Sequence, residues 1–212
     1  MSEPYLTIQG DVTVEVIIKK SRFICQLKKL TNEQDAIDFI EAVNHEHRKA
    51  THNCFAYQVG DRDEIQRESD NGEPSGTAGV PILEVLQKNH LHNVAAVVTR
   101  YFGGIKLGAG GLIRAYSGTT AQAVEAATIV QRVTQTIVGL QHSYANHDQL
   151  TYWLNQEHFE LDHDDYGVDV TTYVFVDNDQ VETFTAEITN RFRGQIAVLP
   201  GEERQHEILY QP

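Results

Sequence analysis

The first 135 residues alternate apolar segments with polar breaks at the periods of strands and helices. The β-branched run at 12–18 predicts a strand, and 23–27 predicts its hairpin partner. Apolar residues between Ala36 and Val43 recur at helical spacing, with Thr31 or Asn32 as N-cap. The remaining predicted elements are a strand at 52–59, a short helix at 81–88, a strand at 94–99 buried on both faces, and a helix at 110–127.

The segment 60–76 lacks a long apolar run and predicts a polar loop. Loops of this length inside a compact domain are usually functional or disordered. The loop therefore draws attention as a candidate site.

The pattern restarts after Ile129 in the order β-α-β-β-α-β, which is the ferredoxin-like arrangement. The fold class is therefore α+β, with two domains at 1–135 and 136–212 that meet near 130–137. The second domain's predicted elements are strands at 131–142, 159–164, 168–176 and 195–200 and helices at 146–157 and 180–192.

Charge is divided unevenly between the two predicted domains. The whole chain carries a net charge of −13; residues 1–135 contribute −2 and residues 136–212 contribute −11. Because phosphate contacts need clustered positive charge, the acidic half is a poor binder of naked nucleic acid. A basic protein surface suits it better, or the charge simply maintains solubility.

Several classes of protein are disfavoured by the same sequence. No apolar run reaches the roughly 20 residues that span a bilayer, and the start, Met1-Ser2-Glu3, lacks a secretory pattern. Cys25 and Cys54 have no metal-type spacing, so we expect reduced thiols. We expect a cytoplasmic protein with no membrane partner, no metal and no cofactor.

The strongest local signal is a glycine-rich turn between a buried strand and a helix. Backbone N–H groups at a helix start bind anions, and glycine lets the backbone approach a ligand. A phosphate or other anion site is one interpretation; a tight turn with close packing is the other. The segment is neither a P-loop nor a dinucleotide fingerprint. The candidate anion- or RNA-binding residues are Arg100, Gly103, Gly104, Lys106, Gly108, Gly110, Gly111 and Arg114.

The polar loop supplies a second group of candidates. Ser69, Asp70, Glu73 and Thr77 can bind a ligand or act as acid–base groups beside the turn. Ser and Asp also commonly bond their own backbone in turns, which is the structural alternative. The sequence does not show whether 69–79 meets 103–111.

His52 and Cys54 lie two apart on a predicted strand and so share a face. His52 joins the binding candidates. A Cys–His nucleophile is disfavoured because no orienting residue is evident, and a buried Cys beside a hydrogen-bonded His is the better interpretation. The catalytic residues, if any, stay unknown.

Three blocks together resemble the YigZ/IMPACT family. They are Lys20–Ile24 followed by His52–Tyr57, then Ser69–Gly79, and finally Arg100–Gly108. The resemblance covers about 15–130, and 137–200 resembles the smaller second domain of bacterial members more weakly.

The resemblance implies a first domain like the second domain of ribosomal protein S5. It implies a second domain like the fifth domain of elongation factor G. The eukaryotic member of the family acts in translational control, so the resemblance also implies a translation-associated role.

Three hypotheses follow. The first is a non-enzymatic regulator whose residues 1–135 bind the ribosome, RNA or a translation factor, with Arg100, Lys106 and Arg114 on phosphate and 136–212 on a basic protein surface. The second is a small-molecule phosphate-binding enzyme, a phosphotransferase or hydrolase, that uses the same turn. The third is a protein-binding module.

Overall fold

The structure, a computed structural model, describes residues 4–210. The expectation about the chain start at Met1–Glu3 lies outside them. The described residues form two compact units, 4–132 with 207–210 and 133–206. The boundary drawn from the sequence at 135/136 stays a prediction. None of the described helices is long and apolar enough to cross a membrane.

The first unit is a five-stranded antiparallel sheet with helices on both faces. In chain order the elements are β1 (Tyr5–Ile8), β2 (Val12–Ile18), β3 (Ser21–Lys29), α1 (Glu33–Glu46), β4 (His52–Val59), β5 (Ile65–Ser69), α2 (Gly79–Lys88), β6 (Val94–Tyr101) and α3 (Ala109–Ala126). The sheet has the order β2-β3-β6-β4-β5.

The central strand β6 divides its side chains between two hydrophobic clusters. Ala96 and Val98 pack with residues of α2 and α3, while Ala95 and Val97 pack with residues of α1. This confirms the prediction of a strand buried on both faces. Asn32 caps α1, since its side-chain oxygen accepts from the Asp35 N–H at 3.1 Å.

The prediction that 60–76 is all loop was wrong. Residues Ile65–Ser69 form β5, which pairs with β4 from Val59↔Ile65 to Phe55↔Ser69. The strand was missed because it is an edge strand whose middle three residues are exposed and polar, so it has no apolar period. The short β1, which pairs with the start of β7 (Ile129–His142), was missed as well.

The second unit confirms the β-α-β-β-α-β order. In chain order its elements are β7, α4 (Tyr144–Gln156), β8 (Leu161–Tyr166), β9 (Val170–Asp177), α5 (Val181–Arg191) and β10 (Ala197–Leu209), the last longer than predicted. The sheet has the order β10-β7-β9-β8, the order of a ferredoxin-like sheet. One face of it is covered by Trp153, Leu154, Phe184 and Ile188.

Candidate functional site

The glycine-rich turn follows β6 and leads directly into α3. Gly108 is the N-cap of α3 and has φ +72°, a conformation that L side chains rarely adopt. Gly103 lies against the backbone of Lys20, where an added Cβ would be 2.0 Å from the carbonyl carbon and oxygen. Gly103 and Gly108 therefore serve the turn itself. Gly108, like Gly104 and Gly110, is also exposed at its surface.

The polar loop and the turn meet around a cavity of about 360 Å³. Glu73 and Pro74 come from the loop, and the start of α3 closes the other side. The sequence alone left this meeting open. The cavity is lined by Glu73, Pro74, Arg100, Phe102, Lys106, Leu107, Gly108, Ala109 and Leu112.

A buried charged cluster lies at the base of this cavity. Arg100 is 5% exposed, and its Nη1 donates to Glu73 Oε1 at 2.6 Å. The Tyr116 hydroxyl donates to the same oxygen at 2.8 Å. Burial, with Cys54 and Glu73 close by, raises the pKa of Tyr116, so it stays a neutral donor. Glu73 therefore neutralises the Arg100 charge.

One atom of the cluster lacks a partner. Arg100 Nε is buried and makes no hydrogen bond to any described residue, while Nη2 lies 3.5 Å from Ser21 Oγ. The guanidinium also lies over the Phe23 and Phe102 rings, at 5.4 and 5.5 Å from their centroids. These contacts hold the Arg100 guanidinium in place, and its Nε–H has no hydrogen-bond partner among the described residues.

The three cations predicted at the turn have different environments. Lys106 is exposed and lines the cavity. Arg114 is exposed on α3 and does not line it, although its Nη1 points back to within 3.6 Å of a Cβ built at Gly110. Gly110 and Gly111 lie in the first turn of α3. Only Lys106 combines an exposed charge with a position on the cavity wall.

Most of the loop candidates make local hydrogen bonds that stabilise the conformation of the loop. Asp70 Oδ1 accepts from the N–H groups of Ala78 and Gly79, and Oδ2 accepts from that of Gly76. Burial raises the pKa of Asp70, but these backbone donors outweigh it and lower the pKa below its ordinary value.

Ser69 and Thr77 also bond locally. The Asn71 N–H donates to Ser69 Oγ at 3.2 Å, and Thr77 Oγ1 donates to the Pro74 carbonyl at 2.6 Å. These hydrogen bonds are those of a turn, and of the loop candidates only Glu73 lines the cavity.

His52 and Cys54 do not form a catalytic pair in this geometry. His52 Nδ1 bonds the Asn71 carbonyl at 2.8 Å, and its Nε2 is 3.8 Å from Glu73 Oε2. The Cys54 thiol bonds the Asp70 carbonyl at 2.9 Å. Burial raises the pKa of Cys54 to about 12, so the thiolate is scarce at neutral pH. Both Cys25 and Cys54 are free thiols.

Sequence reasoning missed two residues that shape the site. Tyr116, seven residues into α3, reads from the sequence as an ordinary helix position. Phe102 lies on the cavity wall and is 47% exposed. An aromatic residue directly before a glycine pair at a strand end was the available signal. Among the described residues, no group of three His, Cys, Asp or Glu side chains is arranged to hold a metal ion.

Two family models match the chain. The Impact N-terminal domain matches residues 19–124, which include both the loop and the turn. A domain of unknown function, DUF1949, matches residues 140–195 in the second unit.

Two bacterial relatives and one solved structure cover almost the whole chain. IMPACT family member YvyE of Bacillus subtilis is 41% identical over 95% of this chain and 93% of its own length. IMPACT family member YigZ of Escherichia coli is 37% identical over 95% of this chain and 100% of its own. A crystal structure of a hypothetical protein, 36% identical, covers 96% of this chain and all of that one with a TM-score of 0.60.

Proposed function

This chain belongs to the IMPACT family, and from that premise we propose that it is a translation-regulatory protein that binds an anionic group of the ribosome, an RNA or a translation factor beside its glycine-rich turn. The cavity shared by the polar loop and the turn carries this proposal, because it brings a helix start, Arg100 and Lys106 to one wall. The role in translation comes from the resemblance to the family's eukaryotic member.

The chemistry of the cavity favours an anion. The N–H groups of the first turn of α3 point away from the helix body, and the helix dipole adds partial positive charge there. Lys106 adds a full positive charge. Arg100 adds a buried Nε that makes no hydrogen bond to any described residue. Glu73 is already committed to Arg100 and Tyr116, so its charge is largely balanced.

The same cavity also supports a second candidate, a small-molecule phosphate-binding enzyme. Its volume of about 360 Å³ lies within the range of small-ligand sites. The available acid–base groups are Glu73, which lines the cavity, and His52, whose Nε2 lies 3.8 Å from Glu73 Oε2. A nucleotide or sugar phosphate that binds there would stabilise the fold, by roughly 4 kcal/mol at a thousandfold excess over Kd.

The acidic residues 136–212 are proposed to contact a basic protein surface. Residues 136–212 contain no Lys and only three Arg against 14 Asp and Glu. This excess of negative charge repels nucleic acid and attracts basic proteins.

Sedimentation of the full chain through a lysate gradient, at low and high salt, tests the first candidate. The double variant Lys106→Ala/Arg114→Ala keeps the buried cluster intact; Arg100→Ala would leave Glu73 buried without its partner. We expect salt-sensitive migration with ribosomal or translation-factor fractions that the double variant weakens. Migration at the top of the gradient at every salt concentration, together with a thermal shift by a nucleotide, would favour the enzyme.

A further inference from the structure

We propose that the exposed cations around the glycine-rich turn, with Phe102 among them, form a binding surface for single-stranded RNA. This inference rests on the proposed function and selects RNA from the partners named there. We define the cationic rim as six exposed residues: Lys19, Lys20, Arg48, Lys49, Lys106 and Arg114.

Three chain segments bring the rim together at one end of the sheet of the first unit. The Lys20 backbone abuts Gly103. The segment before β4 abuts the same place, since the Phe102 N–H donates to Thr51 Oγ1 at 3.0 Å. The Tyr101 hydroxyl is 3.0 Å from His47 Nδ1 in the same segment. The side chains of Lys106 and Arg114 lie on the turn and on the α3 start that follows it.

The rim differs from most other cations of this unit in its lack of ion pairs. Lys28 is paired with Asp11, Arg67 with Glu33, and Lys88 with Glu84. No rim residue has an acidic partner among residues 4–210.

Two acidic groups near the rim are already paired. Glu15 pairs with Arg22 and Glu73 pairs with Arg100, while Glu46 is exposed and lies 3.6 Å from His47 Nε2. The rim therefore presents an excess of positive charge, as a surface for phosphates does.

The turn between β2 and β3 has lysine at two positions whose backbone conformation is unfavourable for lysine. Ile18 pairs with Ser21, so Lys19 and Lys20 are the two loop residues of the hairpin. Their φ angles are +45° and +66°, and such two-residue turns favour Asn-Gly. Strain held in place at an exposed turn points to a requirement for the side chains, here two ammonium groups beside the glycine-rich turn.

Phe102 indicates the kind of polyanion. Its ring is half exposed and borders the cavity. Its backbone N–H donates to Thr51 Oγ1, and the next residue, Gly103, abuts the Lys20 backbone. Unpaired cations that follow a backbone, with an aromatic ring on which a base stacks, are the usual arrangement for single-stranded nucleic acids. A duplex hides its bases from such a ring, and an acidic protein segment has no base to stack.

Fluorescence anisotropy of the full chain with a labelled 12-nucleotide oligouridylate, across a range of salt concentrations, tests the proposal. The principal variant is Lys19→Asn/Lys20→Gly, which removes two rim charges and gives the turn its preferred residues. Arg62→Asn/Lys88→Asn is the matched control, because it removes two exposed charges outside the rim. Phe102→Ala tests stacking, and a matched RNA duplex and poly-L-glutamate are the competing ligands.

The expected result has three parts. The wild type binds oligouridylate with a log–log salt slope of about −4 if all six rim cations contact phosphate. Lys19→Asn/Lys20→Gly makes that slope shallower by about 1.4 and raises the Tm, while the control leaves binding unchanged. Phe102→Ala weakens binding roughly tenfold at an unchanged slope.

Several results would overturn the proposal. The first is that the wild type does not bind oligouridylate. The second is that the rim variant and its control lose affinity for oligouridylate equally. The third is that the wild type binds the duplex or poly-L-glutamate as tightly as oligouridylate. Ribosome co-sedimentation without oligouridylate binding would leave the proposed function standing and remove this inference alone. Because the rim variant is expected to fold more stably than the wild type, loss of binding in it cannot be attributed to unfolding.

Discussion

The base of the cavity and the cationic rim both carry basic side chains, but in opposite environments. Arg100 at the base is buried, bonded to Glu73 and covered by two aromatic rings. Lys106, six residues later, is exposed and has no acidic partner among the described residues. One motif therefore contains a cation that stabilises the site and a cation available to a ligand. Charge reversal or removal should separate these two roles.

The largest effect is expected from Glu73→Gln at the base. The substitution keeps the shape of the side chain but leaves the buried Arg100 guanidinium without its counterion. Loss of one partner of a buried ion pair costs about 3–5 kcal/mol. Urea denaturation measures the free energy of unfolding.

Glu84→Gln is the control for this substitution. Its carboxylate pairs with Lys88 at 3.7 Å on an exposed helix surface, where such pairs contribute less than about 1 kcal/mol. Equal losses in the two variants would contradict the structural role assigned to the base.

The second largest effect is expected from Gly103→Ala in the turn. A Cβ there would lie 2.0 Å from Lys20 backbone atoms, so the turn or the β2–β3 hairpin must shift. Overpacking of this kind costs about 1–3 kcal/mol. Thermal denaturation should show a lower Tm.

Gly118→Ala provides the contrast within α3. A Cβ at Gly118 would have no heavy atom within 4 Å, and the substitution should stabilise the helix by roughly 0.5–1 kcal/mol. A lower Tm for Gly118→Ala than for Gly103→Ala would refute the close approach at Lys20.

Features of this site that arise from residues close together in the chain could be predicted from the sequence, and contacts between distant residues could not. The turn was predicted because its glycines act locally, and the central strand β6 because its apolar run is continuous. The Arg100–Glu73 pair joins residues that lie 27 positions apart, so no local pattern could reveal it. Arg100 was predicted as a phosphate contact from its place beside the turn, and that assignment stays a prediction; its ion pair with Glu73 was not predicted.

The polar loop shows a related limitation. The turn chemistry of Asp70 was recognised as one alternative, but its donors lie six to nine residues ahead and depend on where α2 begins. The edge strand β5 was missed because an edge strand gains its stability from backbone pairing with β4, which side-chain patterning does not record.

A smaller and pH-dependent effect is expected from Asp70→Ala. Asp70 accepts three backbone hydrogen bonds at the start of α2, and loss of such a cap costs about 1–2 kcal/mol. Its pKa is lowered in the folded state, so its stabilisation is fully present above the unfolded pKa of about 3.9. The stabilisation is lost as the pH falls through the folded pKa.

The stability difference between wild type and Asp70→Ala should therefore be constant from neutral pH to about pH 5 and shrink below about pH 4. Denaturation series at several pH values measure it. Asp38→Ala is a suitable control, since the one hydrogen bond that Asp38 accepts from a described side chain comes from Gln34 and no described backbone N–H donates to it. A difference that grows on acidification would show that the carboxylate form of Asp70 does not hold the loop.

The smallest effect on stability is expected from Lys106→Gln at the rim. Its ammonium group has no acidic partner among the described residues, so the free energy of unfolding should change by less than about 0.5 kcal/mol. Binding should respond instead, because each lost phosphate contact makes the salt slope for a single strand shallower by about 0.7. Unfolding and anisotropy titrations on the same preparation measure both quantities. A Lys106→Gln variant that loses stability but keeps the wild-type salt slope would contradict this prediction. It would show that Lys106 stabilises the site, as Arg100 does, and does not contact phosphate.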